Sequence, residues 1–286
     1  MKIAIVGPGA IGGAVAAWLA ATGRHELVLC ARTPFERLRV EARDRIYEST
    51  PVVLTEPRAA PRVDWVLVAT KTYDVDAAAE WLRALRGEDT RVAVMQNGVE
   101  HVERFRPHLP ERYIVPVVID CPVERVAPGS LRQRGAASMV VTEGDDGRTL
   151  ASMFDAADVT VTLTADFTTA LWKKLCFNVA GVVPALLGTG DGVARDDELA
   201  DVMRNLVREA VSVGRAKGAV LSDATPDKVA AAFRGAPIDR INSLTADRRA
   251  GRRTEIDARN GAVVRIGLRH GISTPLNAMA VALMRR

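Results

Sequence analysis

The opening twelve residues constrain this chain more than any other feature. Met1-Lys-Ile-Ala-Ile-Val6 reads as a short buried strand, followed at once by Gly7-Pro-Gly-Ala-Ile-Gly12 and an Ala-rich apolar segment ending at Thr22. Glycines cluster in any loop, so the G-x-G-x-x-G spacing carries weight only because it falls at a strand-to-helix turn. There Gly7 permits the tight reversal, Gly9 lets the backbone approach a pyrophosphate, and Gly12 lets helix and strand pack closely. The N–H groups at the helix start, around Ala10 and Ile11, then face an anion with the helix dipole behind them. Pro8 removes one donor at a variable position of the motif. Gly7, Gly9, Ala10, Ile11 and Gly12 are therefore the expected contacts to a dinucleotide.

Residues 1–165 alternate strand-like and helix-like segments. Strands are expected at Lys2–Val6, Glu26–Cys30, Trp65–Ala69, Val92–Met95, Ile114–Val118, Met139–Thr142 and Val159–Leu163. Helices are expected at Ile11–Ala21, Val75–Leu85, Val99–Phe105 and Arg148–Ala156. Apolar strands without strict alternation, separated by amphipathic helices, imply a doubly wound, mostly parallel sheet. Beyond Asp166 the texture changes to long helical periodicity at Thr168–Leu187, Asp197–Lys217, Pro226–Phe233 and Thr254–His270. The expected fold is thus α/β, with a Rossmann-type nucleotide domain over 1–165 and an all-α substrate domain over 166–286.

The chain has 286 residues and a net charge of only +4, with basic residues scattered among acidic ones. With 5% aromatic residues and no basic run among them, a nucleic-acid partner is not expected. No run of about 18 uncharged apolar residues stands out, so no membrane span is expected. The N-terminal apolar run is broken by glycines and a proline, unlike a signal peptide. Cys30, Cys121 and Cys176 are far apart and lie in apolar stretches, the pattern of reduced thiols in a cytoplasmic protein. His25, His101, His108 and His270 show no metal-ligand spacing and read as surface or capping residues.

After the second strand the sequence runs Leu29-Cys30-Ala31-Arg32-Thr33. An acid here would bind the ribose 2′-hydroxyl of NAD, whereas a nearby arginine accepts the 2′-phosphate of NADP. Arg32 stands in that place without an acidic neighbour, which favours NADPH, although an arginine at a strand end is also commonly just solvated.

In such sheets ligands lie outside the carboxyl ends of the strands. Two of those ends are polar: Thr70-Lys71 and Gln96-Asn97-Gly98. Farther on, Lys174 and Asn178 are four residues apart and share a helix face, while Lys173 falls on the solvent side. Thr254 is a credible N-cap, placing Glu255 in a first helical turn where the dipole favours its ionised form. Glu255 serves equally well there as simple helix-start electrostatics. Ser243 precedes a charged stretch, Asp247 to Arg253, that reads as a solvated loop.

Taken together, Gly7 to Gly12, Arg32, Lys71, Gln96-Asn97-Gly98, Trp172-Lys-Lys-Leu175 with Asn178, Ser243 and Thr254-Glu-Ile-Asp257 resemble the ketopantoate reductase family over essentially the whole chain. That resemblance implies NADPH-dependent reduction of a 2-keto acid to a 2-hydroxy acid. It implies Lys174 as general acid, assisted by Glu255, with Asn97 near nicotinamide and substrate, and Asn178 and Ser243 holding the substrate's polar groups. Arg32 and Lys71 would join the glycine turn in binding cofactor. In one respect the chain departs from the family: Val182 stands where a second asparagine is usual. Val182 lies on the Lys174–Asn178 face and is expected to touch the same cleft, so the expected substrate is ketopantoate or a more apolar 2-keto acid. Two other readings are a β-hydroxyacid dehydrogenase, suggested faintly by Asp120-Cys-Pro-Val123, and a non-catalytic NADP(H) sensor. The chain is expected as a monomer, or as a homodimer through Val263–Ile266 and Ala278–Met284.

Overall fold

The computed structural model describes residues 1–155 and 157–286. Contacts divide it into two compact units, one of Met1–Gln96 with His101–Phe167, the other of Asn97–Glu100 with Thr168–Arg286.

The first unit runs β1 (Lys2–Val6), α1 (Ala10–Thr22), β2 (Glu26–Cys30), β3 (Leu38–Glu41), β4 (Ile46–Ser49), β5 (Val52–Leu54), β6 (Val63–Val68), α2 (Val75–Leu85) and β7 (Arg86–Val94). It continues through α3 (His101–Phe105), β8 (Ile114–Asp120), β9 (Val123–Ala127), β10 (Ser130–Gln133), β11 (Ala137–Thr142), α4 (Asp145–Met153) and β12 (Val159–Thr164). The main sheet has the order β12-β11-β8-β7-β6-β1-β2-β5. Every pair in it is parallel except β11 with β8. Ile3 and Ile5 bury one face of β1 against α1, while Ala4 and Val6 bury the other beside α2. Burial on both faces is why these strands read as continuous apolar runs. Chain order reverses at β1, with β2 on one side and β6 on the other, so the Gly7 turn and the end of β6 meet at the topological switch point.

A second sheet, β4-β3-β10-β9, was not anticipated. Leu38, Val40, Tyr47 and Leu131 turn one of its faces into the core with α1. Its other face carries Arg39 paired with Glu41 and Glu48, and Arg132 and Arg134 paired with Glu124. These strands are short and interrupted by charged residues, so a search for apolar runs passes over them. The helix expected at Arg148–Ala156 is α4, three residues earlier; Ala156 lies outside the described residues.

The second unit is helical: α5 (Phe167–Ala180), α6 (Val182–Leu187), α7 (Asp197–Ala216), α8 (Thr225–Arg234), α9 (Ser243–Arg249), α10 (Asn260–Arg269) and α11 (Pro275–Met284). Asp196 caps α7 by accepting from the Leu199 amide at 3.0 Å, and Asn242 caps α9 by accepting from Leu244 and Thr245. Buried amides tie α10 to α11: Asn260 donates to Asn277 Oδ1 at 2.9 Å and to the Val179 carbonyl at 3.2 Å.

Three helical expectations change here. Thr168–Leu187 is two helices, α5 and α6, divided at Gly181. By length and composition alone, Phe167–Leu187 could cross a membrane, yet Trp172, Leu175, Cys176 and Val179 on it are buried in this unit's core. Thr254–His270 is a single 3-10 turn (Ile256–Ala258) followed by α10. Asp247–Arg253 is not wholly a loop, because 247–249 close α9 and Asp247 is 6% exposed. Val263 and Ile266 point into the core, so they offer no face to a second copy.

Candidate active site

Each glycine of the first turn answers to a different requirement. Gly7 has φ 85°, and a Cβ there would stand 2.7 Å from the Thr70 side chain. A Cβ on Gly12 would stand 2.4 Å from the Gly7 carbonyl oxygen and 3.0 Å from Ala69. Gly9 differs: the nearest atom to its imagined Cβ is 4.0 Å away, so the space beside it is open. Gly9 is also the N-cap of α1, supplies no side-chain acceptor, and is followed by no acid in the first turn. A donor-rich, uncapped helix start with open space beside the backbone fits a bound pyrophosphate. Gly9, Ala10 and Ile11 are half-buried at this edge.

The neighbouring strand ends are stiffened from within. Gln96, 6% exposed, donates to Thr70 Oγ1 at 3.0 Å and to the Lys71 carbonyl at 3.3 Å. His101 in turn meets the Gln96 carbonyl at 2.7 Å. A carbonyl only accepts, so Nε2 carries the proton. His101 is therefore no surface residue: it is 3% exposed, and burial holds its pKa below the ordinary value. Lys71 is half-buried just after β6. Arg32 follows β2 with its side chain 89% exposed, 3.8 Å from Asp74. The fit to a 2′-phosphate rests on that exposed guanidinium at the end of β2.

In the second unit the sequence-selected polar residues form a directed chain. Glu255 is 4% exposed and accepts from Asn97 Nδ2 at 3.0 Å. Because an ionised carboxylate can only accept, this bond sets the flip of the Asn97 amide. Asn97 Oδ1 then accepts from Asn178 Nδ2 at 3.4 Å. Asn178 sits on α5 one turn beyond Lys174, which is half-buried, while Lys173 is exposed as expected. Residues far apart in sequence thus meet: 158 positions separate Asn97 from Glu255.

Glu255 does not occupy a helix's first turn, and Thr254 caps none. Glu255 precedes the 3-10 turn, and α10 begins only at Asn260. Arg259 interrupts the run with φ −101° and ψ −99°. Sequence reasoning missed this arginine, which looks like one more charge in a helical stretch. It is 3% exposed and donates to Ser243 Oγ at 2.7 Å. Burial pushes its pKa below the ordinary arginine value, and the Glu255 and Asp247 carboxylates pull it back up. Ser243 itself is exposed at the start of α9.

Val182 opens α6 just past Gly181, whose backbone stays in the right-handed helical region, and its side chain is fully buried in the helical core rather than open to a cleft. Cys30 and Cys176 are buried as well, which pushes both thiols up to about 12. Asp120-Cys-Pro-Val123 links β8 to β9 in the first unit.

Comparison with known proteins agrees over the whole chain. Residues 3–146 match the family model described as ketopantoate reductase PanE/ApbA, and residues 166–286 match its C-terminal counterpart. The chain is 51% identical over 283 residues to a 2-dehydropantoate 2-reductase of Caulobacter vibrioides, covering 99% of this chain and 98% of the relative. It is 40% identical to a 2-dehydropantoate 2-reductase of Mycobacterium tuberculosis, covering 99% and 96% of the two chains. A solved PanE/ApbA family ketopantoate reductase from Ralstonia eutropha superimposes with a TM-score of 0.91 at 32% identity, covering 100% of this chain and 97% of that one.

Proposed function

Because the chain belongs to the ketopantoate reductase family, we propose that it reduces a 2-keto acid of the ketopantoate type to the 2-hydroxy acid, with NADPH as reductant. The first unit binds cofactor and the second binds substrate. Gly7, Gly9, Ala10, Ile11 and Gly12 supply the pyrophosphate cradle, Lys71 adds a cation at a strand end, and Arg32 takes the 2′-phosphate. When bound, NADPH supplies the hydride to C2 of the keto acid.

As C2 is reduced, negative charge builds on its oxygen. Lys174 stabilises that charge and gives it a proton, completing the hydroxyl. Glu255 holds Asn97, and Asn97 holds Asn178, so both amides are fixed in orientation, each with one N–H left over for the substrate. Ser243 adds a hydroxyl from α9. The observation that carries this reading is the Asn178–Asn97–Glu255 chain, one helical turn from Lys174.

Val182 gives no reason to prefer an apolar substrate, because its side chain is spent in the core. A panel of 2-keto acids, run with NADPH and NADH side by side, tests the proposal. Rapid loss of NADPH absorbance with ketopantoate, and a product reduced at C2, is the expected result. Tight NADPH binding without substrate-dependent oxidation would make the chain a nucleotide sensor, and reduction at C3 would make it a β-hydroxyacid dehydrogenase.

A further inference from the structure

Arg259 is a buried guanidinium, near the Glu255 and Asp247 carboxylates, whose charge does not reach solvent directly. It lies between the 3-10 turn and α10, 3% exposed, and its Nε is buried without a hydrogen-bond partner among the described residues. Its Nη2 donates to Ser243 Oγ at 2.7 Å, across 16 positions of sequence. Ser243, by contrast, is exposed. The pair therefore connects a buried cation to a hydroxyl on the surface.

A guanidinium has only donors, whereas a serine hydroxyl has one O–H and two lone pairs. Once a lone pair accepts from Arg259, the serine proton is directed elsewhere, and the adjacent cation polarises the O–H into a stronger donor. Asp247 carries its own partner, Arg252, at 2.9 Å, so it does not displace Ser243 from the guanidinium. Lysine could not reproduce this geometry fully, because its ammonium lacks the rigid planar fork.

We propose that Arg259 is a positioning residue that orients the Ser243 hydroxyl so that its proton is offered to an oxygen acceptor on the substrate, a carboxylate or keto oxygen. The inference rests on the reading of Ser243 as a substrate contact. It deepens that reading by stating which polarity the serine presents. It also assigns a role to a residue that the sequence alone leaves among the surface charges.

The test is a double-mutant cycle in the full chain, with steady-state kinetics, NADPH affinity and melting temperature measured for each variant. Ser243→Ala and Arg259→Gln are each expected to raise KM for the keto acid about tenfold, with kcat changed less than about threefold. Arg259→Lys, which keeps the charge, is expected to lose only about threefold. In the Ser243→Ala background both arginine substitutions are expected to have no further effect on KM, because residues acting through one another are non-additive. NADPH affinity is expected to stay constant throughout. The proposal is overturned if the arginine effects persist undiminished without Ser243. It is equally overturned if Arg259→Gln and Arg259→Lys leave KM unchanged, or lower kcat and melting temperature alone. Active wild type with either outcome refutes this inference only; wild type inactive on every 2-keto acid removes the proposed function with it.

Discussion

Asn97 can point only one way while Glu255 is ionised, and this single constraint orders the polar face of the second unit. A hydrogen bond to a carboxylate contributes about 1.5–3 kcal/mol, roughly twice an ordinary one. Its value here is directional as much as energetic, since the flip of Asn97 decides what Asn178 meets. Lys174, one turn away, is the only member of the group able to deliver a proton to a keto oxygen as an ammonium. Lys174→Met is expected to lower kcat by about 10²–10⁴, the usual worth of a positioned acid, while NADPH titrations stay unchanged. Retention of more than about a third of kcat would remove Lys174 from the chemistry. In the proposed function Arg32 acts on cofactor choice instead. Arg32→Ala is expected to narrow the NADPH-over-NADH ratio of kcat/KM about tenfold, equal to about 1.4 kcal/mol. An unchanged ratio would mean that Arg32 stays in solvent beside Asp74.

Among the elements, α1 has the sharpest requirement, because in the proposed function its first turn serves packing and ligand at once. The two roles fall on different glycines and can be separated. Gly12→Ala places a methyl 2.4 Å from the Gly7 carbonyl oxygen, and backbone cannot yield as a side chain would. Overpacking of this kind costs about 1–3 kcal/mol, so the denaturant midpoint is expected to fall. Gly9→Ala meets nothing closer than 4.0 Å, so the midpoint is expected to hold while NADPH affinity drops about tenfold. Equal losses of stability in the two variants would contradict the assignment. The second sheet shows a different rule of element formation. Its strand β3 alternates one buried and one charged position, and cross-strand pairs such as Arg39 with Glu48 align it with β4. Such segments become strands only when α1 is present to receive Leu38, Val40 and Leu131.

For the molecule as a whole, pH is a global probe of buried groups. His101 is buried with its pKa below the ordinary histidine value, mainly through desolvation. As pH falls below about 6.5 the unfolded chain takes up a proton that the folded chain refuses, so stability declines in that window. His101→Gln keeps an amide donor for the Gln96 carbonyl and cannot titrate. Its melting temperature is expected to fall less than that of wild type between about pH 6.5 and 5; parallel curves would exonerate His101. Glu41, Glu48 and Asp197, held below the usual carboxylate range by arginine partners, act in a separate window at lower pH. The strand-turn-helix start, the parallel sheet and most helices were legible because local period and glycine spacing encode them directly. The site was legible as a set of residues, but not as a geometry. Glu255 was read into a helix that begins five residues later, Val182 was read into the cleft although its side chain is buried in the core, and Arg259 was not singled out. The primary structure determined which chemistries were at hand, because residue type and short-range periodicity are local properties. Only the tertiary structure decided which of them meet, because burial and hydrogen-bond direction arise between segments as distant as Asn97 and Glu255.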